Sequence, residues 1–131
     1  MRQAKFITML LILSFMLPMV YGSFLGNVPE GLIEAFKTGD SKEIATHFGV
    51  SVEMEILGEE NVYTKTQAEQ VIKQFIEQHP VSGFSLLFEG GKDSSKYAIG
   101  KLMTKKGNFR INLLVKNQIV IELRIEEDNG N

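Results

Sequence analysis

The sequence predicts an α+β domain: a strongly curved antiparallel sheet of about six strands packed around three helices from its N-terminal half. Apolar residues recur at helical spacing between Leu32 and Phe48, and again between Ala68 and Ile76. The spacing becomes strict alternation over Val50–Ile56 and from Phe84 onward, the mark of half-buried strands. Short turn-forming stretches separate these later runs, so neighbouring strands pair antiparallel. A sheet with one apolar face must be covered, and three amphipathic helices can cover it.

The first segment reads as an address. Met1–Lys5 carries two bases and no acid, and an apolar run follows from Phe6 to Leu17, broken only by Thr8 and Ser14. Pro18 ends any helix there. Val20-Tyr21-Gly22 places small or modest side chains before a cut at Ser23. This is the order of a cleavable secretory signal over residues 1–22, followed by a single domain over 23–131. The apolar run is about 12 residues, whereas a spanning helix needs roughly 20, so no membrane anchor is expected after cleavage. The expected location is periplasmic or secreted. The chain has no cysteine, which excludes a lipid anchor at the cut, disulfides, and cysteine-ligated zinc or iron–sulfur clusters. Removing the leader takes two of fourteen bases and none of sixteen acids, and the remaining net charge is −4. That balance offers no electrostatic case for nucleic acid or an anionic membrane.

The domain opens with Pro29, suited to a first helical position, and an apolar face of Leu32, Ile33 and Phe36, with Gly39 as the stop. Asp40 and Glu43 have the spacing of a capping box for a second helix carrying Ile44, Ala45 and Phe48, and Gly49 ends it. Val50, Val52, Met54 and Ile56 alternate with Ser51, Glu53 and Glu55 as a first strand. Gly58–Asn61 reads as a turn and Val62-Tyr63 as a short return strand. Thr66 with Glu69 is expected to cap a third helix, whose face is Ala68, Val71, Ile72, Phe75 and Ile76, closed by His79-Pro80. The strand from Phe84 to Glu89 is followed by a loop over Gly90–Ser95. Strands over Lys96–Thr104, Phe109–Val115 and Ile119–Ile125 complete the chain.

This order of elements resembles the nuclear transport factor 2-like fold, also called cystatin-like, over about residues 28 to 127. That fold is a curved sheet forming a cone around a long helix. More narrowly, Pro29-Glu30-Gly31-Leu32-Ile33-Glu34-Ala35-Phe36-Lys37-Thr38-Gly39-Asp40 behind an export signal is similar to the start of an uncharacterised family of small exported bacterial proteins. The resemblance implies the cone and no particular activity, because the fold hosts isomerases, dehydratases, cyclases, transport factors and association domains.

Enzymes of this fold place an acid, a histidine or a tyrosine–acid pair among the apolar walls of the cone. Strand parity puts Val50, Val52, Met54 and Ile56 inward, with Phe109, Ile111, Leu113, Val115, Ile119, Ile121, Leu123 and Ile125. Arg110, Asn112, Lys116, Glu122, Arg124 and Glu126 point outward, so these strands put no ionisable group inside. His47 and His79 sit at helix ends, where histidines usually partner the helix dipole, and their spacing is not that of a metal pair. No catalytic residue, metal ligand or cofactor is assigned. Met54, Tyr63, Phe75, Tyr97 and Lys101 are the candidates for lining a pocket, the tyrosines as amphipathic groups at its mouth. Leu87, Leu102, Leu114 and Val120 fall on the opposite parity and are the candidates for an association surface, with a homodimer as the expected pairing. The reading is a non-enzymatic exported domain that binds a small apolar ligand, an envelope protein or a second copy. The alternative is a small isomerase- or dehydratase-like enzyme using Tyr63, Tyr97 or His47.

Overall fold

The structure, a computed structural model, describes residues 28–130. The expected export signal over residues 1–22 and its expected cut lie outside these residues. Three helices, α1 (Glu30–Thr38), α2 (Ser41–Thr46) and α3 (Lys65–Gln78), accompany six strands. The strands are β1 (Phe48–Ile56), β2 (Glu59–Thr64), β3 (Val81–Lys92), β4 (Ser95–Thr104), β5 (Gly107–Lys116) and β6 (Ile119–Glu127). They form one curved, unclosed sheet in the order β2-β1-β6-β5-β4-β3. Four pairings are antiparallel, as expected. The β1–β6 pairing is parallel and makes the sheet mixed, because the last strand returns alongside the first. No helix among the described residues is long and apolar enough to cross a membrane.

Local chemistry sets the helix ends. Pro29 caps α1 from just outside it. Gly39 takes the left-handed conformation at φ 67°, and its amide and that of Asp40 donate to the carbonyls of Phe36 and Ala35. Asp40 Oδ1 accepts from the Glu43 amide at 3.1 Å and starts α2. That helix stops at Thr46, and Phe48 belongs to β1. The capping box of α3 is Thr64 with Gln67 instead of Thr66 with Glu69. The Gln67 amide donates to Thr64 Oγ1 at 3.3 Å, and the Thr64 amide donates to Gln67 Oε1 at 3.1 Å. The hairpin β1–β2 turns in two residues, Leu57 and Gly58, so Glu59–Asn61 is strand and not turn. β3 likewise runs on through Gly90-Gly91-Lys92, which reduces the expected loop to a turn around Asp93.

Helices and inner sheet face enclose an apolar core. Ala68, Ile72 and Phe75 of α3 are buried, with Leu32, Ala35 and Phe36 of α1. The Phe36 and Phe84 rings stack at 5.1 Å between centroids, and the Phe75 ring meets Phe109 edge-on at 5.1 Å. Such pairs add about 0.5–1.5 kcal/mol each beyond their buried area.

Three irregularities overturn part of the parity reading. On β6, Val120 pairs with Val115 while Glu122 pairs with Leu114, so Ile121 is an extra, bulged residue. Val120 therefore turns into the core, while Ile119 is exposed and Ile121 half-buried. On β1 the register against β6 slips between Phe48 and Glu53, and Val50, expected inside, is 91% exposed in that stretch. On β4 the inner face is Ala98, Gly100 and Leu102, because the Phe84 ring of β3 fills the space over Gly100. Leu102 is thus a core residue, and Tyr97, Ile99, Lys101 and Met103 take the outer face.

Candidate functional site

A cleft of about 330 Å³ opens between α3 and the β1–β2 hairpin. One wall is a stripe of α3: Val71, Gln74, Phe75 and Gln78, residues spaced i, i+3, i+4 and i+7, followed by His79. These positions share a helix face, so the cleft runs along the helix axis. The opposite wall is Ile56, Leu57, Glu59 and Tyr63 from the hairpin. The floor reaches the core at Phe75, which is buried and faces Phe109.

His79 follows directly from the end of α3. Its Nδ1 lies 2.8 Å from the Phe75 carbonyl oxygen, and since a carbonyl only accepts, Nδ1 carries the proton of that bond. The neutral ring then offers Nε2 as an acceptor. The imidazole stacks on Phe75 at 4.3 Å and meets Phe109 edge-on at 4.9 Å, which fixes its plane. Glu59, Tyr63 and His79 share the cleft, and no hydrogen bond links them to one another. The arrangement suits holding a partly apolar molecule, with aromatic and aliphatic walls and two amides, a carboxylate, a phenol and an imidazole at the rim.

The five expected pocket residues divide. Tyr63 and Phe75 line the cleft. Met54 is fully buried in the core and does not line it. Tyr97 and Lys101 lie on the outer sheet face. The Tyr97 hydroxyl pairs with Asn112 Oδ1 at 3.2 Å, and Lys101 Nζ approaches Asp128 Oδ2 at 3.9 Å. His47 stands at the end of α2, 3.8 Å from Glu43 Oε1 and against Gly31, with its Nε2 buried and without a hydrogen-bond partner. Leu57, Glu59, Gln74 and Gln78 are lining residues that the sequence reading did not select. Their spacing puts Gln74 and Gln78 on the helix face of Val71 and Phe75, but nothing in the sequence shows that the hairpin faces them. Among the described residues no cluster of three His, Asp or Glu side chains is placed to hold a metal ion.

The outer sheet face is divided between charge and apolar surface. Arg124 Nε bonds Glu55 Oε2 at 2.6 Å across the parallel β1–β6 pair, and its other nitrogens lie 3.9 Å from Glu122 and Glu126. Of the four expected interface residues, Leu102 and Val120 are buried in the core and offer no surface to a partner. Leu114 is half-buried beside Tyr97. Leu87, at the β3 bulge, is 59% exposed, and Phe88, which the bulge turns to the outer face opposite Ile99, is 54% exposed.

Residues 29–127 match the profile of the domain of unknown function DUF4783. The chain belongs to the DUF4783 family. It is 34% identical to a DUF4783 family protein of Bacteroides ovatus, covering 79% of this chain and 97% of that one, with a TM-score of 0.75. A DUF4783 family protein of Bacteroides uniformis is 36% identical over 79% of this chain and all of that one, with a TM-score of 0.74. No curated protein matches the chain. An NTF-2 like protein of unknown function from Burkholderia xenovorans aligns with 78% of this chain and 80% of its own at a TM-score of 0.60 and 11% identity, a likeness of fold alone. The resemblance carried by residues 29–40 is therefore to DUF4783, and this DUF4783 domain has the nuclear transport factor 2-like architecture.

Proposed function

We propose that this chain is an exported, non-enzymatic binding domain that holds a small molecule in the cleft between α3 and the β1–β2 hairpin. One observation carries the reading. The space inside the curved sheet is filled by apolar side chains, Met54, Phe75 and Phe109 among them, and no polar or charged residue of the described chain is buried there. An enzyme of this architecture needs an acid or base held among apolar walls. Tyr63, Tyr97 and His47 stand on the cleft, the outer face and the end of α2, and His79, a base held against apolar rings, has no hydrogen bond to the carboxylate or phenol that shares its cleft. An isomerase- or dehydratase-like activity is the weaker reading for that reason. The charged leader over residues 1–22 supports export.

Pairing of two copies through the outer sheet face belongs to the same proposal. Leu87, Phe88 and Tyr97 support it as exposed apolar surface beside a charged rim. A mass measurement in solution tests it, and a strict monomer at high concentration removes it.

The binding role is tested by mapping small apolar and amphipathic compounds onto the protein by NMR. Shift changes gathered at Tyr63, Val71, Phe75 and His79 are the expected result. Shifts scattered over the surface would contradict it.

A further inference from the structure

The cleft differs from a plain apolar pocket in the sign of its rim. Its lining includes Glu59 and no lysine or arginine. A second hollow of about 360 Å³ adjoins it at Leu57 and is lined by Gly58, Glu126 and Glu127, again with no base. Glu126 lies 3.9 Å from Arg124, but Glu59 and Glu127 form no ion pair with any described residue. Gln74, Gln78 and the Tyr63 hydroxyl each donate and accept, and they favour neither sign. With Nδ1 tied to the Phe75 carbonyl, Nε2 of the neutral His79 tautomer is an acceptor, and the cleft lining adds no fixed positive charge to oppose a cation.

Leu57 joins the two hollows at a conformational cost. It sits at the first turn position of the hairpin with φ 50°, where asparagine, aspartate or glycine is favoured, and it is 46% exposed. An apolar side chain kept in a strained, half-exposed place at a cleft mouth is the kind of outlier that accompanies a binding site. Here it extends the apolar wall of the first hollow to the edge of the second.

Resting on the reading of this cleft as a binding site, we infer that its ligand is a small organic cation: an amine or guanidinium carried on an apolar or aromatic body. The body lies against Val71, Phe75 and Leu57. The cationic head lies at the rim, toward Glu59 and Glu127.

The test uses three probes that share a phenyl ring on a two-carbon arm: 2-phenylethylamine, 2-phenylethanol and 3-phenylpropanoate. Each is titrated into the protein and followed by NMR at Tyr63, Phe75 and His79. The amine is expected to bind more tightly than the alcohol by roughly two- to fivefold, and the carboxylate more weakly than both. Glu59→Gln, a change at an exposed side chain, is expected to weaken the amine more than the alcohol and so narrow the gap between them. If the three probes bind the cleft equally, or Glu59→Gln affects amine and alcohol alike, the cationic assignment is overturned and the cleft stands as an apolar site. If no probe perturbs the cleft, the binding-site reading falls with it.

Discussion

The ring of Phe84 on β3 lies over Gly100 on β4, in the space that a side chain at residue 100 would occupy. A β-carbon there would collide with the ring, so the inner face of β4 is closed by its neighbour's phenylalanine. Gly100→Ala is expected to destabilise the domain by about 1–3 kcal/mol, as overpacking does. Urea or thermal unfolding measures it. Adding Phe84→Leu should recover part of the loss, and strictly additive losses would show that the ring does not fill that space.

The same packing separates two leucines that parity had grouped together. Leu102→Ala removes a buried side chain and should cost about 2–5 kcal/mol. Leu87→Ala changes an exposed bulge residue and should stay within about 0.5 kcal/mol. Equal effects would contradict the assignment of Leu102 to the core.

These residues show why the fold was more legible than its faces. Caps and glycines mark α1 and α2 in the sequence, and alternation marks β5 unambiguously. On β4 the inner positions Ala98 and Gly100 are small because Phe84 supplies the missing volume, so the larger Tyr97 and Ile99 suggested the wrong face. The bulges at Leu87 and Ile121 each shift parity by one residue, and no local residue type announces them. Site residues were legible where they carried rings, Tyr63 and Phe75. Gln74, Gln78 and Leu57 were not, because a cleft between α3 and a hairpin depends on how distant segments meet. Polar residues beside Val71 look like an ordinary solvated helix edge until the hairpin faces them.

The start of α3 gives a sharp contrast between two threonines. Thr64→Ala removes the side chain that accepts from the Gln67 amide and should cost about 0.5–2 kcal/mol. Thr66→Ala, at the exposed second residue of the helix, should stay within about 0.5 kcal/mol. The opposite ranking would return the cap to Thr66 and Glu69.

Leu57 should separate stability from binding. Leu57→Asn places a residue suited to positive φ in the turn and is expected to raise stability by up to about 1 kcal/mol. The same change removes apolar wall from the cleft, so every phenyl probe should bind more weakly. A variant that is both less stable and unchanged in binding would remove Leu57 from the site.

The most direct measurement of the binding role closes the cleft from the helix side. Val71 is half-buried and lines it, so Val71→Trp fills the space with an indole ring. Titrating 2-phenylethylamine into the wild type and this variant, with folding checked by the dispersion of the amide spectrum, compares an open cleft with a filled one. The account predicts a loss of roughly tenfold or more in affinity. Unchanged affinity in a folded variant would contradict it and place binding elsewhere on the domain.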